Sequence, residues 1–481
     1  MTDSSLVRFA LVNEATVNTT PTSPTMQIMR VTSIGLGLQN KTATSEQIDS
    51  SRMAGDQILT GTSTTGAIAF EFSNSHFDKL LVASVLGTRV KLFEKSGATE
   101  CGAVTLTTTF AVNSGGATAV AGHLIRTSGY TTAANNGLFR VASSTGTTIV
   151  TSGATLSNEA STSASFLKIV GFRGASGDIT ATATGLGSTS LDFTTLGLVV
   201  GQWVSIGGNT SAEQFATAAL NSFARITAIA ATALTLDNLP TGWTTDTGTS
   251  KTITVYISDY VRVGSTVTGN TFSAETAFLD QATPSYFVDS GLHVNTLTLN
   301  CPTQDKVTGT FELMGLTSNT PSTSAISGAT YTAIPTDTIY NSSSNTTRVS
   351  ENGASLAMPS LLTSFTLNVA NNMEELEAVG NTGAVGIRKG TCTVTGNFVT
   401  YFGDLAIYNR ARALSNTQIA IGMKQSTKAY MFYFPRVQLS APRPNAGGIN
   451  QDVTCDATFN AAKDSTTSTN FQMDMFYEVA A

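Results

Sequence analysis

Val31-Thr32-Ser33-Ile34-Gly35-Leu36-Gly37-Leu38-Gln39-Asn40 lines up with Leu362-Thr363-Ser364-Phe365-Thr366-Leu367-Asn368-Val369-Ala370-Asn371 at an offset of 331. In both, apolar residues recur at alternate positions, the period of a strand with one buried face. Further on, Thr65-Gly66-Ala67-Ile68 followed by Phe72 matches Thr395-Gly396-Asn397-Phe398 followed by Phe402 at an offset of 330. The spacing holds to within one residue, which Thr-rich composition does not by itself produce, so the two stretches read as a duplicated β unit. A further pair sets Leu297-Thr298-Leu299 and Gln304-Asp305-Lys306-Val307-Thr308 against Val437-Gln438-Leu439 and Gln451-Asp452-Val453-Thr454.

A second repeat lies between these outer parts. Gly122-His123-Leu124-Ile125 resembles Gly201-Gln202-Trp203-Val204, and Arg140-Val141 with Ile149 is answered by Arg225-Ile226 with Leu234, both gaps being nine residues. This predicts two tandem small β domains, 97–172 and 173–258, inserted into the outer duplication. Removing residues 97–258 leaves 319, about one domain's worth for each outer half. The predicted division is a discontinuous first domain, 1–96 and 259–317, the two inserted domains, a Ser/Thr/Asn-rich loop or linker at 318–359, and a second outer domain at 360–481. One helix is expected: Asn74 or Ser75 as N-cap, then Phe77, Leu80, Leu81 and Val85 on one face, ending near Gly87. A single helix over sheets suits an all-β sandwich or barrel.

Composition agrees. Only 12% of the 481 residues are charged, 41% are hydrophobic, and Gly (42) far outnumbers Pro (11). Such a chain buries large cores and presents polar, weakly charged surfaces suited to subunit contacts. A net charge of −6 lacks the basic footprint of a nucleic-acid binder. Met1 to Val17 contains Asp3, Arg8 and Glu14 and reads as no export signal; the Leu196–Ile206 stretch is too short to span a bilayer.

Enzyme constellations are weak. His76, His123 and His293 stand in unrelated contexts without metal-ligand spacing, and no phosphate loop, dinucleotide turn or nucleophile elbow occurs. Glu374, Glu375 and Glu377 form the densest acidic cluster, but in one local segment rather than across a cleft, so a solvated or interface loop outweighs a catalytic pair. Cys101, Cys301, Cys392 and Cys455 are dispersed and read as unpaired, mostly buried thiols. His123 and Trp203, at neighbouring strand positions, and Arg140 and Arg225 read as structural. No enzyme activity, cofactor or metal is expected.

Ile48-Asp49-Ser50-Ser51-Arg52-Met53-Ala54-Gly55-Asp56, Thr65-Gly66, Phe70-Glu71-Phe72-Ser73, Phe77-Asp78-Lys79-Leu80-Leu81 and Val307-Thr308-Gly309-Thr310-Phe311-Glu312-Leu313 together resemble the tail tube proteins of long-tailed (siphovirus-like) bacteriophages. The likeness covers the outer parts, about two thirds of the chain. It departs at Arg89, where such stretches often end in Trp, and in the size of the insertion. The resemblance implies a duplicated tail-tube β-sandwich or barrel with a short helix. It also implies a structural virion protein made in the host cytoplasm, whose rings stack into a tube that conducts DNA without binding it. Its partners would be itself and the tail terminator, tape measure and distal tail proteins, with no membrane insertion. The competing class is a β-sandwich adhesin or carbohydrate-binding module. Two sandwiches per chain would let three chains make a pseudo-sixfold ring, six chains being the alternative.

The loops Asn40–Asp56 and Ala370–Lys389 occupy equivalent places in the outer repeat and carry its densest charge. Asp49, Arg52, Asp56, Glu374, Glu375 and Arg388 are therefore the expected inter-ring assembly residues, against the reading of two solvated hairpins. The inserted domains are expected to decorate the outside of the tube.

Overall fold

The computed structural model describes residues 3, 6–47, 53, 55–356, 361–441, 443–444 and 448–481. It is an all-β architecture in which six strand positions occur twice in the same order. In the first set, Val7–Asn13 pairs with Phe272–Phe278, followed by Ser285–Cys301, Thr308–Gly315, Gln57–Glu71 and the broken strand Val31–Ile34 and Gly37–Thr44. In the second, Thr346–Glu351 pairs with Asn416–Gln425, followed by Lys428–Ser440, Thr454–Ala461, Thr393–Tyr401 and Leu362–Ala370. All these pairs are antiparallel.

Irregularities recur with the strands. The ladder slips between Val31 and Ser33 and between Leu362 and Ser364, and again between Phe272 and Ala274 and between Thr417 and Ile419. Because a one-residue slip exchanges the two faces of a strand, coincident slips keep both sets in the same phase. Gly66 and Gly396 also do the same work: a Cβ at either would run into a carbonyl oxygen of the adjacent strand, Gly35 or Thr366.

Three expectations need correction. Through its ladder partners, Val437-Gln438-Leu439 corresponds to Leu292-His293-Val294, not to Leu297-Thr298-Leu299. A slip between Val294 and Thr296 restarts the alternation, so a gap-free sequence match lands on the wrong stretch. Residues 318–359 are not wholly a linker, since Thr346–Glu351 is the first strand of the second set and Thr330–Tyr331 pairs in parallel with Thr25–Ile28. The helix Asp78–Ser84 is capped at Phe77 without a side-chain bond, while Asn74 accepts from the Tyr340 hydroxyl instead.

A second helix, Ala406–Ala413, follows Thr393–Tyr401 as Asp78–Ser84 follows Gln57–Glu71. It buries only Ile407 and Ala411, an i, i+4 pair too sparse to register as an apolar face.

The middle segment forms one thirteen-stranded sheet over one core. At its centre Phe166–Arg173 pairs antiparallel with Thr254–Ile257. Outward on one side run His123–Ser128, Gly137–Ser144 and Thr148–Ser152; on the other run Trp203–Ile206, Phe223–Ala230 and Ala233–Asp237. Matching details reach individual bonds: Gly122 N–H donates to Val141 O (3.0 Å) and Gly201 N–H to Ile226 O (2.7 Å), both glycines at positive φ. His123 bonds the Leu196 carbonyl, Arg140 that of Arg173, and Arg225 pairs with Asp237.

The layers stack in a definite order. The main core lies under Tyr430, Phe432 and Phe434; the alternate residues Ala429, Met431 and Tyr433 face the other way, onto Leu124, Trp203 and Tyr256 of the middle sheet. A strand buried on both faces reads as a continuous apolar run, here Ala429 to Phe434. At the junction, Lys168 (1% exposed) bonds Glu94 (2.9 Å) and Asp259 (2.8 Å), and Arg89 bridges Asp259 (2.9 Å) and Asp78 (3.1 Å). The departure at Arg89 thus has a partner set of its own, tying the first helix to the point where the chain leaves the middle sheet.

Candidate functional site

Within the chain the two sets share a sheet. Thr296–Cys301 pairs antiparallel with Phe365–Ala370, Leu297 opposite Val369 and Leu299 opposite Leu367. The joined sheet runs across eight strand positions, from Gly37–Thr44 at one end to the 437–440 end of Lys428–Ser440 at the other. One face supplies the core with Leu297, Phe311, Phe365, Leu367, Phe398 and Phe459.

The opposite face is polar. Thr296, Thr298 and Asn300 lie beside Glu312, Thr310 and Thr308 on one flank and Ala370, Asn368 and Thr366 on the other; Asn397 and Thr395 continue the rows to Thr458 and Asn460. The strands Gln57–Glu71, Ser285–Cys301, Thr308–Gly315, Leu362–Ala370, Thr393–Tyr401 and Thr454–Ala461 contain no lysine or arginine. The face carries Glu71, paired with Lys306, the exposed Glu312, and Asp456 beside Asn397. The described lysines at this face, Lys306 and Lys41, are each bonded to acids, Glu71 and the Glu375/Glu377 pair, so the face offers phosphate groups little free positive charge.

Among the described residues the sheet has an open edge. Val369 is fully buried under its partner strand, whereas Leu38, its counterpart in the first set, is 49% exposed. Beside it, Val31, Ile34, Leu36 and Leu38 join Phe278 and Phe287 in lining a groove of about 650 Å³.

The predicted assembly residues divide. Asp49 and Arg52 lie outside the described residues, and Asp56 is exposed. Glu374 and Arg388 form an exposed ion pair across a short hairpin, Glu374–Leu376 with Gly386–Arg388. Glu375 turns inward to Lys41 (2.7 Å), which also bonds Glu377 (2.5 Å), and Thr62 N–H donates to Thr382 O (2.6 Å). The second hairpin therefore leans on the first set of strands in the same chain. Lys41 lies outside the residues expected from sequence; the available signal was a cation, one of two with Arg52, in the loop equivalent to a run of acids.

Residues 232–461 match the family of phage tail tube proteins. Over this stretch the chain belongs to the phage tail tube family. The matched stretch takes in the second set of strands and the returning strands of the first, which meet at the Leu297–Val369 seam. A comparison with curated proteins finds no match. The tail tube subunit is a structural component of the virion tail. Its four cysteines are free, three of them buried. Among the described residues no cluster of His, Cys, Asp and Glu is disposed to hold a metal, and no helix is long and apolar enough to cross a membrane.

Proposed function

We propose that three copies of this tail tube subunit close a ring of six pseudo-equivalent sandwiches, and that such rings stack into a tube lined by the polar sheet face. One observation carries this reading: the chain already contains one sandwich-to-sandwich seam, and leaves the equivalent edge of the first sandwich open. Repeating the internal seam between chains continues one sheet through eight strand positions per copy, and a closed sheet has no edge left to aggregate. This face, whose lysines are already held by acids, lets DNA pass without adhering when directed inward.

The same orientation puts the middle sheet outside, because it packs on the layer across the core from the polar face. The exposed ends of the hairpins, Asp56, Glu374 and Arg388 among them, then meet the next ring. Tail terminator, tape measure and distal tail proteins would bind the ends and lumen of the tube, in a long flexible tail assembled in the host cytoplasm. Symmetry analysis of tube images tests the count. Threefold rings with six inner lobes and three outer projections are expected; strict sixfold density with a projection every sixty degrees would establish six chains instead.

A further inference from the structure

In the second sandwich the edge residues Phe365, Leu367 and Val369 lie under Cys301, Leu299 and Leu297. The strand that supplies this cover, Ser285–Cys301, leaves its first neighbour at Leu292 and takes up the new one from Thr296. Its counterpart, Lys428–Ser440, leaves Asn416–Gln425 at Gln438 and, among the described residues, meets no new strand on that side. Resting on the ring reading above, we infer that the segment carrying Ala441 and Arg443 of a second copy enters the groove beside Leu38, with Arg443 of that copy paired to Asp289.

The register follows from the internal seam. Thr296 corresponds to Ser440 and positions 365–370 to 34–39; carrying the same count forward sets Ala441 opposite Leu38 and Arg443 opposite Leu36. Asp289 lines the groove, is 2% exposed, and its Oδ1 has no hydrogen-bond partner. Such a buried oxygen is costly until a donor reaches it. In the second sandwich the position of Asp289 is held by Phe434, and the position of Arg443 by Leu299. The internal seam is thus apolar where the seam between copies carries opposite charges, which admits the correct partner and penalises an apolar edge docking in its place. Pro442 and Pro444 remove two backbone donors from the segment, so it is a poor template for unlimited strand pairing. Ile449, 93% exposed in the free chain, is its one large apolar side chain.

Disulfide trapping tests the register. In tubes built from a Leu38→Cys/Ala441→Cys subunit, oxidation should join copies into a closed species on a denaturing gel, since facing strand positions meet disulfide geometry. Leu36→Cys/Ala441→Cys, out of register, should stay unlinked, and the internal pair Leu297→Cys/Val369→Cys should link within one chain. Arg443→Asp should abolish tube formation without moving the melting temperature, and adding Asp289→Arg should restore it. Tubes that form but neither cross-link in this register nor respond to Arg443→Asp overturn the groove assignment. A wild-type protein that never forms rings overturns the ring reading itself.

Discussion

Leu297 and Val369 face one another across a ladder that joins two sandwiches of one chain. Both are fully buried, whereas Leu38, which stands where Val369 stands, is half exposed. The same position is therefore a core site in one repeat and a waiting contact in the other.

Val369→Arg should destabilise the subunit by several kcal/mol, because it buries an unpaired charge. Leu38→Arg should leave stability within about 0.5 kcal/mol, as surface changes do, yet block ring closure. Thermal melts with electron microscopy check both. A Leu38→Arg protein that still builds normal tubes would show that this edge lies outside the assembly.

Lysines on the polar face should change what the channel does without changing its shape. Glu312 and Asp456 are exposed at alternate strand positions, so Glu312→Lys/Asp456→Lys should assemble and then retain DNA. The retention should weaken steeply as salt rises, because bound phosphates release counterions. DNA capture by assembled tubes at several salt concentrations is the measurement, with wild-type tubes showing none.

Two acids at the junction of the middle sheet and the outer layer give stability opposite slopes with pH. Burial pushes Asp474 up to about 6, against hydrogen bonds from Ser258, Gln472 and the Trp203 N–H. Its contribution is full below the unfolded value near 4 and is lost as pH rises through about 6. For Glu94, burial acts upward, but the Lys168 and Lys91 ammonium groups hold it down to about 2. Its contribution is present above about pH 4.5 and is lost as pH falls toward 2. Melting temperatures across pH 2–7 should lose the upper slope in Asp474→Asn and the lower slope in Glu94→Gln.

Deleting residues 97–258 should yield an aggregating protein rather than a bare tube subunit. The deletion strips the cover from Met431, Tyr433 and Phe476, an apolar face on the outer layer. Adding Met431→Thr, Tyr433→Thr and Phe476→Thr should recover a soluble chain that assembles, since the polar sheet and both seams are untouched. A soluble, folded triple variant that makes no rings would place the middle sheet within the subunit interface.

Sequence alone was sufficient for strands with one polar face. Residues 31–40 and 362–371 alternate, and their offset survives in the structure down to the shared slip, because alternation is set by the pleat of the chain itself. Alternation vanished where both faces are buried, as at Ala429–Phe434, and it misled across the slip at Val294–Thr296. Helix Ala406–Ala413 escaped because its stability comes from packing two side chains and from Arg410 reaching Glu351 (2.7 Å), not from an apolar stripe.

The family and the repeat were therefore written locally, in spacings that any segment carries with it. The inward turn of Glu375 to Lys41, the bridge from Arg89 to Asp259 and the open groove beside Leu38 were not. Each joins residues far apart in the chain, and which of two like-charged or equally apolar residues finds a partner is settled only when the layers pack.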